Sequence, residues 1–174
     1  EQLDRLTNTP EGFFSGNLDL EKVGLFGHSY GGATATLFCL LNTRCDAALN
    51  MDGLSFGHEL LTQGLDVPYL MFYGDAPELT NARFNQFVFD QTENDAYEFQ
   101  MLGGKHSDFT DFTLMSPVFR WVGFLGPNSG LKLAQSANAV VLAFFDVYLK
   151  GKPSTLLDDP GAGYPFVDVI DVRK

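Results

Sequence analysis

A chain of 174 residues with 45% hydrophobic and 19% charged residues suits one globular domain with a sizeable core. Its formal net charge of −11 argues against nucleic acid and against electrostatic docking on anionic membranes. No apolar run is long enough to span a bilayer, and no internal repeat, low-complexity tract, linker or zinc-type Cys/His spacing is present.

The opening EQLDRL resembles the end of a helix. It carries neither an initiator Met nor a signal pattern, so it reads as a processed, trimmed or internal segment. The compartment therefore stays open between secreted and cytoplasmic. KVGLFGH is a short apolar strand, and Tyr30 to Leu41 reads as a helix whose Gly31, Gly32 and Ala33 allow close packing. Cys39 and Cys45 are read as buried thiols in preference to a local disulfide, because a bridge needs a geometry that spacing does not supply.

AALNMD is a second strand. VPYLMFYG is a third, apolar on both faces as a buried parallel strand should be. ELTNARFNQFVFDQ reads as a helix, YEFQMLGG as a fourth strand and DFTDFTLM as the start of a short helix. Residues 134–150 form a final helix, with Val141, Phe144, Phe145 and Tyr148 on one stripe and Gly151 and Pro153 as stop signals. No element is assigned beyond it. Strands alternating with helices predict an α/β fold with a parallel sheet and right-handed crossovers.

In such sheets functional residues gather at the carboxyl ends of the strands. Four chemically capable residues fall there: Ser29, Asp52, Asp75 and His106. Ser29 sits in Gly27-His28-Ser29-Tyr30-Gly31, the G-x-S-x-G pattern that forces a nucleophile into a strained strand-to-helix turn. Serine is a weak nucleophile until a histidine takes its proton and a carboxylate orients that histidine. The Tyr30 backbone N–H would then point at the developing oxyanion, with the helix N-terminus adding favourable partial charge.

His106, in a Gly-rich loop after the fourth strand, is the candidate base. His28 lies inside the elbow and is structural, while His58 is an ordinary surface or pocket residue. Asp108 and Asp111 read as helix-capping and first-turn charges. The acid stays open between Asp52 and Asp75, and topology alone leans to Asp75, whose bland reading is a turn carboxylate.

LDLEKVGLFGHSYGGATAT, AALNMDG and LGGKHSDFTDF resemble the α/β-hydrolases related to plasma-type platelet-activating-factor acetylhydrolase and its bacterial esterase relatives. The resemblance runs up to FFDVYLKGKPSTLLDDP. It implies Ser29, Asp52 and His106 as the catalytic set, with Asp75 an alternative acid. It also implies hydrolysis of carboxylic esters, often with short or oxidised acyl groups and in some members on phospholipids, with no metal or other cofactor.

Such enzymes carry further strands and an oxyanion loop ahead of this segment. The resemblance therefore implies that 1–174 is the C-terminal portion of a single α/β-hydrolase catalytic domain. Its N-terminal half is expected to be absent or on a separate chain, and the strand before Ser29 to lie at an open sheet edge. That edge could bind the missing half or a second copy.

The segment MSPVFRWVGFLGPNSGLKL, residues 115–133, is read first as core packing and second as an apolar wall for an acyl chain or a lipid-facing surface. Trp121 belongs to it, and Phe56 is a further candidate for the pocket lining. Two alternatives remain: a dienelactone-hydrolase-like or polyester hydrolase using Asp75, and a non-catalytic fragment that needs its N-terminal half.

Overall fold

The computed structural model describes residues 2–10, 12–75 and 82–174. Five strands form one sheet in the order β1 (Gly24–His28), β2 (Ala47–Met51), β3 (Tyr69–Tyr73), β4 (Ala96–Met101) and β5 (Val167–Arg173). The first four run parallel and β5 pairs antiparallel to β4. Parallel order and matched register bring His28, Met51, Tyr73 and Met101 to one edge of the sheet. This is the α/β-hydrolase architecture: a mainly parallel sheet flanked by helices.

The helices are α1 (Gln2–Asn8), α2 (Tyr30–Leu41), α3 (Leu60–Gln63), α4 (Ala82–Gln91), α5 (Phe112–Met115), α6 (Val118–Trp121) and α7 (Gly130–Lys150). The first part of the helix expected from residue 78 falls outside the described residues. β3 is buried along its whole length, as its two-sided apolar sequence requires. Its alternate residues serve two cores. Leu70 and Phe72 pack with Phe144, Val140 and Leu133 of α7. Tyr69, Met71 and Tyr73 pack with Cys39 of α2, Leu60 of α3 and Val88 of α4.

Four expectations change. Cys39 and Cys45 form a disulfide, not two thiols: the chain leaving α2 folds back until the two Cα atoms are 5.0 Å apart, within bridging reach. The final helix starts at Gly130, a turn earlier than the apolar stripe suggested, because residues 130–133 already pack inward through Gly130 and Leu133. β5 carries no expected element at all. Its Val167 and Val169 stand opposite Met101 and Phe99, while Asp168 and Asp171 face Gln100 and Glu98 in the register. The start of DFTDFTLM forms a tight 3₁₀ turn, His106–Phe109, before α5 begins.

β1 is an edge strand, paired only with β2 among the described residues. Phe26 at its centre is 54% exposed.

One buried carboxyl group sets a pH dependence. Glu98 on β4 is fully buried and accepts a hydrogen bond from the Tyr73 hydroxyl at 2.8 Å. Burial, with lesser contributions from Asp171 and Asp90, pushes its carboxyl above the ordinary value of 4.5, while Tyr73 pulls it back. A raised folded-state value means the stability linked to the neutral form is complete at acid pH and is lost as pH climbs through that value. Glu98→Gln keeps the acceptor for Tyr73 and removes the charge. It should match the parent's Tm near about pH 4 and exceed it by a few degrees near about pH 8, since about 1 kcal/mol moves Tm by about 2–4 °C in a domain this size. Thermal melts of both proteins across pH check this.

Candidate active site

Ser29 is the hinge between β1 and α2. It holds φ 57° and ψ −128°, a backbone conformation that residues with a side chain rarely adopt. Its N–H donates to the Met51 carbonyl at 2.8 Å and its own carbonyl accepts from Ala33 at 3.1 Å, so the turn is tied to β2 and to the new helix. A Cβ on Gly27 would come within 2.5 Å of Gly31 backbone, and one on Gly32 within 2.2 Å of Asn50 Oδ1. A Cβ on Gly31 would meet open space. The steric demand of this elbow therefore falls on Gly27 and Gly32, not on the second glycine of G-x-S-x-G.

Three of the expected residues converge. His106 Nε2 lies 3.0 Å from Ser29 Oγ, and His106 Nδ1 lies 2.7 Å from Asp52 Oδ2. Asp52 follows β2, is 4% exposed and accepts a hydrogen bond from the Gly74 N–H at 3.0 Å on its other oxygen. It too has a left-handed backbone, φ 54°. Asp75, the alternative acid, is turned elsewhere. It is exposed, its N–H donates to the Gly104 carbonyl, and its carboxylate accepts from Gln100 at 3.4 Å.

His28 stays within the elbow, with its ring centroid 4.4 Å from that of His106 and 5.9 Å from Phe109. Burial, then the nearby His106, hold it below the ordinary imidazole range. His28 thus forms a shelf against the His106 ring. His58 is exposed, and its carbonyl accepts from the Thr62 hydroxyl.

Asp108 does more than cap a turn. It is buried and accepts from the Lys105 and Gly126 N–H groups, the Thr113 hydroxyl and the Arg120 guanidinium, at 2.9, 2.7, 2.7 and 3.0 Å. Arg120 also donates to the Thr113 and Gly126 carbonyls. Asp111 precedes α5 without a side-chain capping bond.

This knot corrects the reading of 115–133 as core. Leu125 and Leu133 are buried, but Trp121 is 89% exposed, and Met115, Val118, Val122 and Phe124 are exposed with it. Arg120 points inward to Asp108 and so turns its neighbours on α6 outward. Phe56 is half-buried and stacks on the exposed Tyr30 ring, with centroids 5.2 Å apart and planes 16° from parallel.

Comparison with known proteins shows the family. The family model described as platelet-activating factor acetylhydrolase, isoform II, matches residues 12–150. A platelet-activating factor acetylhydrolase of Gallus gallus is 24% identical over 143 residues, covering 78% of this chain and 33% of its own. A ferulic acid esterase from Streptomyces cinnamoneus superposes with a TM-score of 0.82 at 29% identity, over 98% of this chain and 52% of that one. The chain thus spans about a third of the avian relative and about half of the solved esterase. With the family match running from the approach to the elbow through the end of α7, the chain belongs to the platelet-activating factor acetylhydrolase, isoform II, family.

Proposed function

We propose that this chain carries the catalytic residues of a serine carboxylic-ester hydrolase. The observation behind the proposal is the continuous relay from Ser29 Oγ through the His106 ring to Asp52 Oδ2, at 3.0 and 2.7 Å. His106 takes the Ser29 proton as Oγ attacks the ester carbonyl. Asp52 holds Nδ1–H and stabilises the imidazolium. The Tyr30 N–H, at the start of α2, binds the oxyanion. Collapse of the tetrahedral adduct expels the alcohol, which takes its proton from His106. His106 then draws a proton from water, hydroxide adds to the acyl-Ser29 ester, and collapse releases the carboxylic acid as His106 returns the proton to Ser29 Oγ.

Short-acyl esters, including phospholipids, are the first substrate class, following the Gallus gallus relative's name. The exposed apolar surface around Trp121, anchored next to His106 by the Asp108 knot, suits an oily substrate or the surface that carries one. A second reading takes the acyl group as aromatic. It is favoured by the Tyr30–Phe56 stack beside Ser29 and follows the name of the Streptomyces relative, a ferulic acid esterase.

The exposed β1 edge would pair with further strands or with a second copy. Light scattering of this chain should then show dimers, and a monomer would argue against pairing between copies.

Initial rates on p-nitrophenyl acetate, p-nitrophenyl octanoate, a short-acyl phosphatidylcholine and methyl ferulate separate the readings. A kcat/KM at least about tenfold higher on the short-acyl phospholipid than on methyl ferulate supports the first, and the reverse order the second. No turnover of any ester overturns the proposal.

A further inference from the structure

Asp52 keeps a left-handed backbone that a residue with a side chain rarely holds unaided. The next residue shows what holds it. Both polar groups of Gly53 are taken by buried carboxamides. Asn50, at the end of β2, accepts from the Gly53 N–H at 2.9 Å and donates to the Gly53 carbonyl at 3.1 Å. Asn85, on α4, donates to the same carbonyl at 3.1 Å and accepts from the Ser55 N–H at 2.8 Å. Both asparagines are fully buried, and the relay proposed above uses neither.

The clamp also touches the nucleophile turn. A Cβ on Gly53 would lie 2.1 Å from the Ser29 carbonyl oxygen, and one on Gly32 would lie 2.2 Å from Asn50 Oδ1. Elbow, acid turn and α4 therefore meet at one glycine. A carboxamide suits both roles: it donates and accepts from one planar group and stays neutral at every pH of interest. A carboxylate would repel Asp52, and an ammonium or guanidinium would compete with His106 for it.

We propose that Asn50 and Asn85 are positioning residues for the acid. They fix Gly53 and Ser55 so that Asp52 keeps the turn that aims Oδ2 at His106 Nδ1. This inference rests on the Ser29–His106–Asp52 reading and assigns part of its geometry to α4, a helix that contributes no catalytic residue.

The test uses Asn85→Leu, which keeps the branched shape in a somewhat bulkier side chain and removes both bonds, and Asn85→Ser, which keeps one polar atom in a smaller side chain. Three readouts are compared with the parent: kcat and KM on p-nitrophenyl acetate, the rate of fluorophosphonate labelling, and the downfield proton NMR signal of His106 Nδ1–H. Positioning predicts a fall in kcat of about tenfold or more with KM within about twofold, an equal slowing of labelling, and a downfield signal that moves or broadens. A lower Tm with kcat and the proton signal unchanged assigns Asn85 to stability alone and overturns the proposal. So does failure of both variants to fold. If the parent shows no labelling, the nucleophile reading fails, and the proton signal still judges the clamp separately.

Discussion

Ser29→Ala is expected to abolish covalent labelling by a fluorophosphonate probe and to lower kcat/KM on p-nitrophenyl acetate by roughly 10⁴- to 10⁶-fold. The expectation follows from the elbow. Ser29 is the hydroxyl within 3.0 Å of His106 Nε2, held at a strained turn directly ahead of α2. The substitution removes one oxygen and leaves the turn, the histidine and the Tyr30 amide in place. The fold should therefore survive, and a thermal melt within a few degrees of the parent would show that the lost activity is chemical. Labelling that persists in Ser29→Ala refutes the nucleophile, whatever the rate on small esters.

The second large effect separates the two candidate acids. Asp52→Asn should cost about 10⁴-fold in kcat, because an amide facing Nδ1 favours the wrong imidazole tautomer and withdraws the charge that stabilises the imidazolium. Asp75→Asn should stay within about tenfold of the parent, since that carboxylate is exposed and bonded to Gln100. Asp52 is 2.7 Å from the ring nitrogen and 4% exposed, so its charge acts at short range with little solvent screening. Measuring the two variants side by side on one ester decides the matter. A larger loss from Asp75→Asn would return the assignment to the residue that topology alone favoured.

Much of this fold was legible because its signals are local. β3 is apolar on both faces, α2 begins at a glycine-rich elbow, and α7 ends at Gly151 in a left-handed cap, with φ 63° and bonds back to Asp146 and Val147. β5 was missed because half of it is charged or exposed, and its inward valines make sense only opposite β4. The four strand-end residues could be placed on one edge by topology. Between the two acids, topology leaned to Asp75, and only the family resemblance favoured Asp52. The distinction lies in a positive φ and in the Gly74 amide, neither of which periodicity reports. The exposure of Trp121 was hidden for a similar reason. A run of apolar residues reads as core until a buried Arg120–Asp108 pair, 12 residues apart in sequence, turns the other side outward. The Gly53 clamp joins residues 32 apart and leaves no pattern at all.

The Asp108 knot also has a practical meaning for redesign. It ties Lys105, Thr113, Arg120 and Gly126 to one carboxylate, so the base's turn and the outward ridge are fastened to a common post. Side chains beyond that post, among them Leu114, Met115, Val118, Trp121 and Val122, stand in solvent. They form a rim that can be rewritten, lengthened or made polar as a cassette while the imidazole keeps its seat. Libraries seeking new ester preferences should vary those five positions and leave Asp108 and Arg120 untouched.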